Sequence, residues 1–240
     1  MNKAQLIVAM DVDNFDQAKK LIDELEDSVE IFKVGMQMFT AYGPFMTRYL
    51  QSKGKKVFLD LKFHDIPNTV ASAVKSAVSL SVSPSKEGEF APLYMLTVHT
   101  CGGQEMLEAA VKAADEQAKK LGVTRPLIVG VTVLTSQAKE DNLEALVLER
   151  ALLAKRCGLD GVVASVEEAA LIKRYCSDNF VVVTPGIRPA GAEVGDQKRV
   201  ATPRIAIQSG SDYLVVGRPI VQASDPLAAA KSIAQEMAGV

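Results

Sequence analysis

The sequence is poor in the residues that most often bind metals or form cross-links. It contains no tryptophan, two histidines and three cysteines among 240 residues. Cys101, Cys157 and Cys176 are far apart and form no C-x-x-C pair, so we expect neither disulfides nor a thiolate metal site. We interpret all three as small apolar residues. With only His64 and His99 to supply imidazole, a histidine-rich zinc site is also excluded.

The chain also lacks long hydrophobic runs and an excess of either charge. Its 27 basic and 29 acidic side chains give a net charge of -2, and no basic block is present that could follow a phosphate backbone. No apolar run approaches the roughly 18 residues that a membrane span needs. Residues 1–8 are too short and too polar for a signal peptide. We therefore expect a cytoplasmic protein with neither a nucleic-acid nor a membrane partner.

What the sequence does contain is an alternation of short apolar runs with segments of helical spacing. The eight runs lie at residues 6–12, 31–36, 57–63, 95–99, 127–134, 161–165, 180–185 and 213–217. Helical segments between them include residues 15–26, 68–80, 104–121, 142–157 and 166–175. The runs are nearly continuous in Val, Ile and Leu, as is typical of parallel strands covered by helices. Eight such units predict a (β/α)8 TIM barrel, an α/β fold, in a single domain spanning residues 1–240.

A doubly wound open sheet is the competing architecture. It predicts a glycine-rich turn after the first strand. Residues 11–14 read DVDN and contain no G-x-G-x-x-G, so a dinucleotide-binding fold loses its main support.

The third strand candidate carries charges within an apolar run. Asp60 and Lys62 are two residues apart, so they share one face of the strand, while Leu59, Leu61 and Phe63 occupy the other face. Burying such charges costs several kcal/mol per ion unless they pair. A structural ion pair is one interpretation. The other is a lysine general acid or base that carboxylates hold in place.

Other polar residues also collect where strands end, which is where barrels of this kind carry their functional groups. Lys33 lies in the second strand, and with Asp60, Lys62 and Asp65 it forms an alternating set of charges. Unit charges about 4 Å apart interact by roughly 4 kcal/mol at an effective dielectric near 20, enough to keep a lysine protonated. Lys33 on its own could instead extend to the surface. Further strand-end candidates are Asp11, Thr135, Ser136, Arg188 and Arg218.

The loops after the seventh and eighth strands are where barrels commonly bind phosphate. Gly217 allows close approach of the backbone, and Arg218 supplies two parallel donors. Residues 184–189 (TPGIRP) and 195–197 (GDQ) have the composition of a lid that closes over an anion. An ordinary surface loop is the alternative.

Together these motifs resemble those of the orotidine 5′-phosphate decarboxylase family over almost the whole chain. They are DLKFHDIPNT at residues 60–69, KVG at 33–35, VTPGIRP at 183–189, GDQ at 195–197 and VGRP at 216–219. D-x-K-x-x-D alone also occurs in magnesium-dependent barrels that make or cleave hexulose phosphates. The added IPNT and PGIRP make the resemblance specific.

The resemblance implies conversion of orotidine 5′-phosphate (OMP) to UMP and carbon dioxide in pyrimidine biosynthesis, without a metal or cofactor. Lys62 would protonate C6 beside Asp60. Asp65, Ile66 and Thr69 would reach into the partner's site of a homodimer. The implied substrate contacts are Asp11 and Lys33 at the ribose, Thr135 and Ser136 at the pyrimidine, Arg188, Gln197, Gly217 and Arg218 at the phosphate, and Pro189 in the lid.

Two alternatives remain at this point. One is a magnesium-dependent hexulose-phosphate synthase or another sugar-phosphate barrel enzyme, and the other is a non-catalytic nucleotide-binding barrel. Residues 81–91 also exceed what most bacterial relatives have between helix and strand. We expect this insertion at the amino-terminal rim of the barrel, away from the site.

Overall fold

Eight parallel strands form one closed barrel in the computed structural model, which describes residues 4–83, 90–135, 142–189 and 200–239. Each strand pairs with the next in chain order, and the last pairs with the first. The strands are β1 (Gln5–Ala9), β2 (Ile31–Gly35), β3 (Lys56–Phe63), β4 (Leu93–His99), β5 (Leu127–Val131), β6 (Gly161–Val163), β7 (Val181–Thr184) and β8 (Tyr213–Val216). The prediction of a (β/α)8 barrel is confirmed.

Helices cover the outside of the barrel. Those in the described residues are α1 (Phe15–Leu25), α2 (Met36–Tyr42), α3 (Pro44–Ser52), α4 (Pro67–Val78), α5 (Gly103–Leu121), α6 (Leu143–Arg156), α7 (Val166–Cys176), α8 (Pro203–Gln208), α9 (Arg218–Val221) and α10 (Pro226–Ala238). Their starts follow local chemistry. Asn14, Thr202 and Asp225 each accept a backbone N–H bond as helix caps of α1, α8 and α10. None of the helices in the described residues combines the length and apolarity that a membrane span requires.

The core has two layers because side chains alternate along each strand. The outer layer packs the strands against the helices. The inner layer fills the barrel with Ile7, Ala9, Ile31, Phe58, Met95, Val129, Val183, Tyr213 and Val215. Near the start of their strands, the hydroxyls of Tyr94 and Tyr213 lie 2.5 Å apart. The inner layer therefore fills the amino-terminal end of the barrel.

The strands end earlier than the apolar runs predict. β1 ends at Ala9 rather than residue 12, and β5 ends at Val131 rather than residue 134. Val12 and Val133 are nonetheless buried. An apolar run in the sequence indicates which residues are buried, but not which residues pair in a sheet. Buried loop residues that follow a strand therefore lengthen the run beyond the end of the strand. Residues 84–89, most of the expected insertion, lie outside the described residues.

The three cysteines are free thiols, and they differ in exposure. Cys157 and Cys176 are buried, whereas Cys101 is exposed with its Sγ 2.9 Å from Nδ1 of His99. The prediction of a small apolar residue is wrong for Cys101. It lies in a short 3-10 turn directly after β4, where its side chain is exposed.

Candidate active site

A cavity of about 540 Å³ opens at the carboxyl ends of the strands. Its floor consists of apolar side chains of the inner core layer, among them Phe58, Val183 and Val215. Its walls carry charged and polar groups. The candidates from the sequence that line the cavity are Asp11, Lys33, Asp60, Lys62, Thr135, Arg188, Gly217 and Arg218. Candidates scattered over more than 200 positions of the sequence thus meet in one place.

Four of these side chains form a continuous array of alternating charge, which we call the charge array (Asp11, Lys33, Asp60 and Lys62). Lys33 Nζ lies 3.2 Å from Oδ1 of Asp11 and 3.6 Å from Oδ2 of Asp60. Lys62 Nζ lies 2.8 Å from the same Oδ2 of Asp60. β2 and β3 are paired with Gly35 opposite Asp60, which brings the lysine of one strand to the carboxylate of the other. Asp60 therefore holds two ammonium groups at once.

The ionisation of Asp60 follows from these neighbours. Burial raises the pKa of its carboxyl group, but the Lys33 and Lys62 ammonium groups and the hydrogen bonds from Lys62 and Thr97 together lower it more. The net pKa of Asp60 lies below its ordinary value. Asp60 is therefore a carboxylate at neutral pH, and it retains the charge that positions both lysines.

The end of β3 departs from regular strand geometry at the charge array. Leu59 pairs with Leu96 and Phe63 with Val98, so the segment between Leu59 and Phe63 bulges opposite a single residue of β4. Within the bulge, Lys62 has a φ of 52°, in the left-handed region. That conformation costs a residue with a Cβ atom roughly 1–2 kcal/mol. Asp60 and Lys62 both line the cavity, as their spacing predicts, but nothing in the spacing indicates the bulge.

Thr97 is the β4 residue opposite this bulge. Its Oγ1 accepts a hydrogen bond from the backbone N–H of Lys62 at 2.8 Å and donates one to Oδ1 of Asp60 at 3.1 Å. Sequence reasoning missed Thr97, because a threonine in a buried strand carries no functional signal. It also missed Gln222, which lines the cavity four residues after Arg218. One helical turn separates these two positions, and that spacing could have indicated a shared face.

The opposite wall of the cavity is suited to an anion. Arg188 follows β7 and Arg218 follows β8, and both line the cavity. Burial lowers the pKa of Arg188, and the positive charge of Arg218 lowers it further. Gly186, with a φ of 77°, makes the turn that leads the chain from β7 toward Arg188. Guanidinium groups are hydrogen-bond donors whose charge and geometry suit an anion such as a phosphate group.

Asp65, Ile66 and Thr69 are not brought to this cavity. All three are exposed, Ile66 to 66%, and the Asp65 carboxylate accepts a hydrogen bond from the backbone N–H of Ile66 at 2.6 Å. Within one chain, Asp65 follows the strand, is exposed and does not join Lys33, Asp60 and Lys62. Its place in the site of a second copy stays a prediction. Asp11, which follows β1, is the second acid of the charge array in this chain.

The remaining candidates are only partly described. Pro189 follows Arg188 but is not among the described lining residues of the cavity. Ser136 and Gln197 lie outside the described residues, and so do the other two residues of the predicted lid segment 195–197. Within the described ranges, no group of three or more His, Cys, Asp or Glu side chains is arranged to hold a metal ion.

Comparison with known proteins gives one consistent result. A family model described as "Orotidine 5'-phosphate decarboxylase / HUMPS family" matches residues 4–233. The orotidine 5′-phosphate decarboxylase of Moorella thermoacetica is 47% identical over 244 residues, covering 98% of this chain and 92% of that protein. The enzyme of the same name from Nostoc sp. is 44% identical over 249 residues, covering 100% of both. The crystal structure of orotidine 5′-phosphate decarboxylase from Lactobacillus acidophilus matches with a TM-score of 0.80 and 36% identity, covering 98% of this chain and 99% of that one.

Proposed function

The chain belongs to the orotidine 5′-phosphate decarboxylase / HUMPS family, and we propose that it converts OMP to UMP and carbon dioxide in pyrimidine biosynthesis. The observation that carries the proposal is the Lys62 ammonium group, held 2.8 Å from Asp60 inside a cavity that also contains two arginines. The relatives named above are decarboxylases rather than hexulose-phosphate enzymes, which favours this activity within the family.

The chemical difficulty of the reaction explains the need for Lys62. When the bond between C6 and the carboxylate breaks, its electron pair stays on C6 in the plane of the ring, where the π system cannot delocalise it. A fixed ammonium group beside C6 stabilises that developing charge and then donates a proton to it. The Asp60 carboxylate fixes the ammonium group, so little reorganisation is needed during the reaction.

The binding roles follow the layout of the cavity. We assign the substrate phosphate to Arg188, Gly217 and Arg218, and the ribose hydroxyls to Asp11 and Lys33, which lie between the phosphate end and Lys62. Thr135 and Ser136 would face the pyrimidine, and Gln197 and Pro189 would close over the phosphate. Binding energy from the phosphate is thereby available to orient the distant reacting carbon and to exclude water from it.

We further propose that the protein acts in the cytoplasm as a homodimer with shared sites, and the exposed segment after β3 supports the homodimer. Asp65, Ile66 and Thr69 point away from the cavity of their own chain, and Ile66 exposes a large apolar side chain. Packing against a second copy would cover Ile66 and bring Asp65 to the partner's site.

The direct test is to mix the protein with OMP and follow the ultraviolet absorbance change as UMP forms. We expect conversion by the wild type, a decrease of roughly 10²- to 10⁴-fold in kcat for Lys62→Ala, and no comparable loss for Lys56→Ala. Lys56 is the matched control, because it lies at the other end of the same strand and pairs with Glu30 on the surface.

A second arm repeats the assay in EDTA. We expect unchanged activity, whereas a loss that magnesium restores would favour a metal-dependent sugar-phosphate enzyme. Absence of any conversion by the folded wild type would reject the decarboxylase proposal.

A further inference from the structure

We propose that Thr97 is a positioning residue for this decarboxylation, and that its hydroxyl fixes the bulge that presents Asp60 and Lys62 to the substrate. The inference rests on the proposed function. Thr97 is fully buried and does not line the described part of the cavity, so it acts through its neighbours and does not touch the substrate.

The register of the sheet gives Thr97 its particular position. Before the bulge, Leu59 pairs with Leu96, and after it Phe63 pairs with Val98. Thr97 lies between those two β4 partners, so its side chain faces the whole segment that carries the catalytic charges. The regular pattern of hydrogen bonds between two strands cannot provide a partner for every backbone group of a bulge. The Lys62 N–H instead donates to Oγ1 of Thr97, at 2.8 Å.

The hydroxyl makes two different bonds that depend on each other. A hydroxyl has one proton to donate, and Thr97 directs it to Oδ1 of Asp60, at 3.1 Å. Its lone pairs are thereby available to the Lys62 N–H. One bond holds Lys62 in its left-handed conformation, and the other fixes the plane of the carboxylate that binds the Lys62 ammonium group through its second oxygen. Thr97 thus fixes the backbone of Lys62 directly and the side chain of Lys62 through Asp60.

Removing the hydroxyl disturbs the charge array without emptying the core. Valine has nearly the same shape, but it leaves the Lys62 N–H without an acceptor and Asp60 without a donor. The groups that then face Asp60 are Lys33 from β2 and Lys62 from its own strand, and Asp11 from the loop after β1 is paired with Lys33. Loss of the Thr97 bond raises the pKa of Asp60 toward its ordinary value, because that bond favours the ionised form.

The test compares Thr97→Val and Thr97→Ser with a matched control, Thr100→Val. Thr100 is also buried, directly after β4, but its hydroxyl donates to the Val131 carbonyl and not to the charge array. For Thr97→Val we expect a decrease in kcat on the order of 10- to 100-fold with little change in KM. In the pH profile of kcat/KM for this variant, the acidic limb should move to higher pH. Thr97→Ser should recover most of the activity, and Thr100→Val should retain it.

Two readouts keep the inference separate from the function on which it rests. Wild-type protein that does not convert OMP would refute the proposed function, whereas active wild type with an equally active, folded Thr97→Val would refute the role of Thr97 alone. Titration of the Asp60 carboxyl by carbon NMR needs no turnover, and an unshifted Asp60 in Thr97→Val would also refute that role. If Thr97→Val does not fold, Thr97→Cys makes the same comparison, since a thiol is a weak donor and acceptor.

Discussion

At the scale of single residues, the charge array depends on a glycine, which has no side chain. Gly35 ends β2 beside the array, and a Cβ atom placed there would lie 2.8 Å from Nζ of Lys33 and 3.0 Å from Oδ1 of Asp11. The backbone of Gly35 has a φ of -93°, which any residue can adopt. Gly35 is therefore required for the space it leaves to Lys33 and Asp11, and not for its conformational freedom.

We expect Gly35→Ala to separate activity from stability. The Lys33 ammonium group is the end of a flexible chain, so it can move away from the new methyl group at little cost, and the free energy of unfolding should change by less than about 1 kcal/mol. The displaced ammonium group no longer bridges Asp11 and Asp60, and kcat/KM should fall by about 10²-fold. Thermal unfolding and steady-state kinetics measure the two effects.

Gly239→Ala is the control, because a Cβ atom at Gly239 would meet only ordinary contacts at 3.6 Å or more. A Gly35→Ala enzyme with full activity would show that Lys33 does not need its observed position.

The sequence predicts the charges of the site better than their partners. The spacing of Asp60 and Lys62 places both on the cavity face, since a period of two is a property of any strand. Which acid lies beside Lys33 depends on how β1 and β2 align, and that register is a tertiary property. The sequence indicates Asp11 as a candidate at the end of a strand but does not show that it lies beside Lys33. For the same reason it gives no sign that Thr97 bonds to Asp60.

At the scale of elements, backbone hydrogen bonds close the base of the loop that follows β7. The backbone N–H of Arg188 donates to the Ala201 carbonyl at 2.9 Å, and Ala201 N–H donates to Gly186 at 3.3 Å. These bonds join the two ends of the segment that contains residues 190–199, outside the described part of the chain. Arg188 is thus fixed by the base of its own loop, while α9 begins at Arg218.

We expect Arg218→Ala to weaken phosphate binding more than it affects the chemical step. The substrate phosphate loses a charged donor far from C6, so KM should rise by roughly 10- to 100-fold. The increase in Tm that saturating UMP produces in the wild type should shrink accordingly.

Arg204→Ala is the matched control, since Arg204 is exposed on α8 and its backbone contacts Glu236 instead of the cavity. An unchanged UMP effect on Tm in Arg218→Ala would remove Arg218 from the phosphate site.

At the scale of the whole molecule, the shared site of the proposed homodimer can be tested by mixing two inactive variants. Lys62→Ala and Asp65→Ala should each be nearly inactive alone. In a hybrid dimer, the site that has Lys62 of one chain and Asp65 of the other is intact, while the second site lacks both. Random exchange of subunits should therefore restore about one quarter of the wild-type activity.

The measurement is OMP turnover after dissociation and reassociation, with hybrids confirmed by mass. A mixture of Lys62→Ala with wild type is the control for subunit exchange. Its activity should equal the average of the activities of the two proteins. Confirmed hybrids without recovery would assign Asp65 to its own chain.

The closed floor of the barrel determines how molecules pass through the enzyme. The inner apolar layer and the Tyr94–Tyr213 contact close the amino-terminal end, so the cavity has its opening at the carboxyl ends of the strands. UMP must therefore leave by the opening through which OMP enters, and it must give up its phosphate contacts before the next OMP can bind. The same phosphate contacts that assist the chemical step can then limit the rate of UMP release.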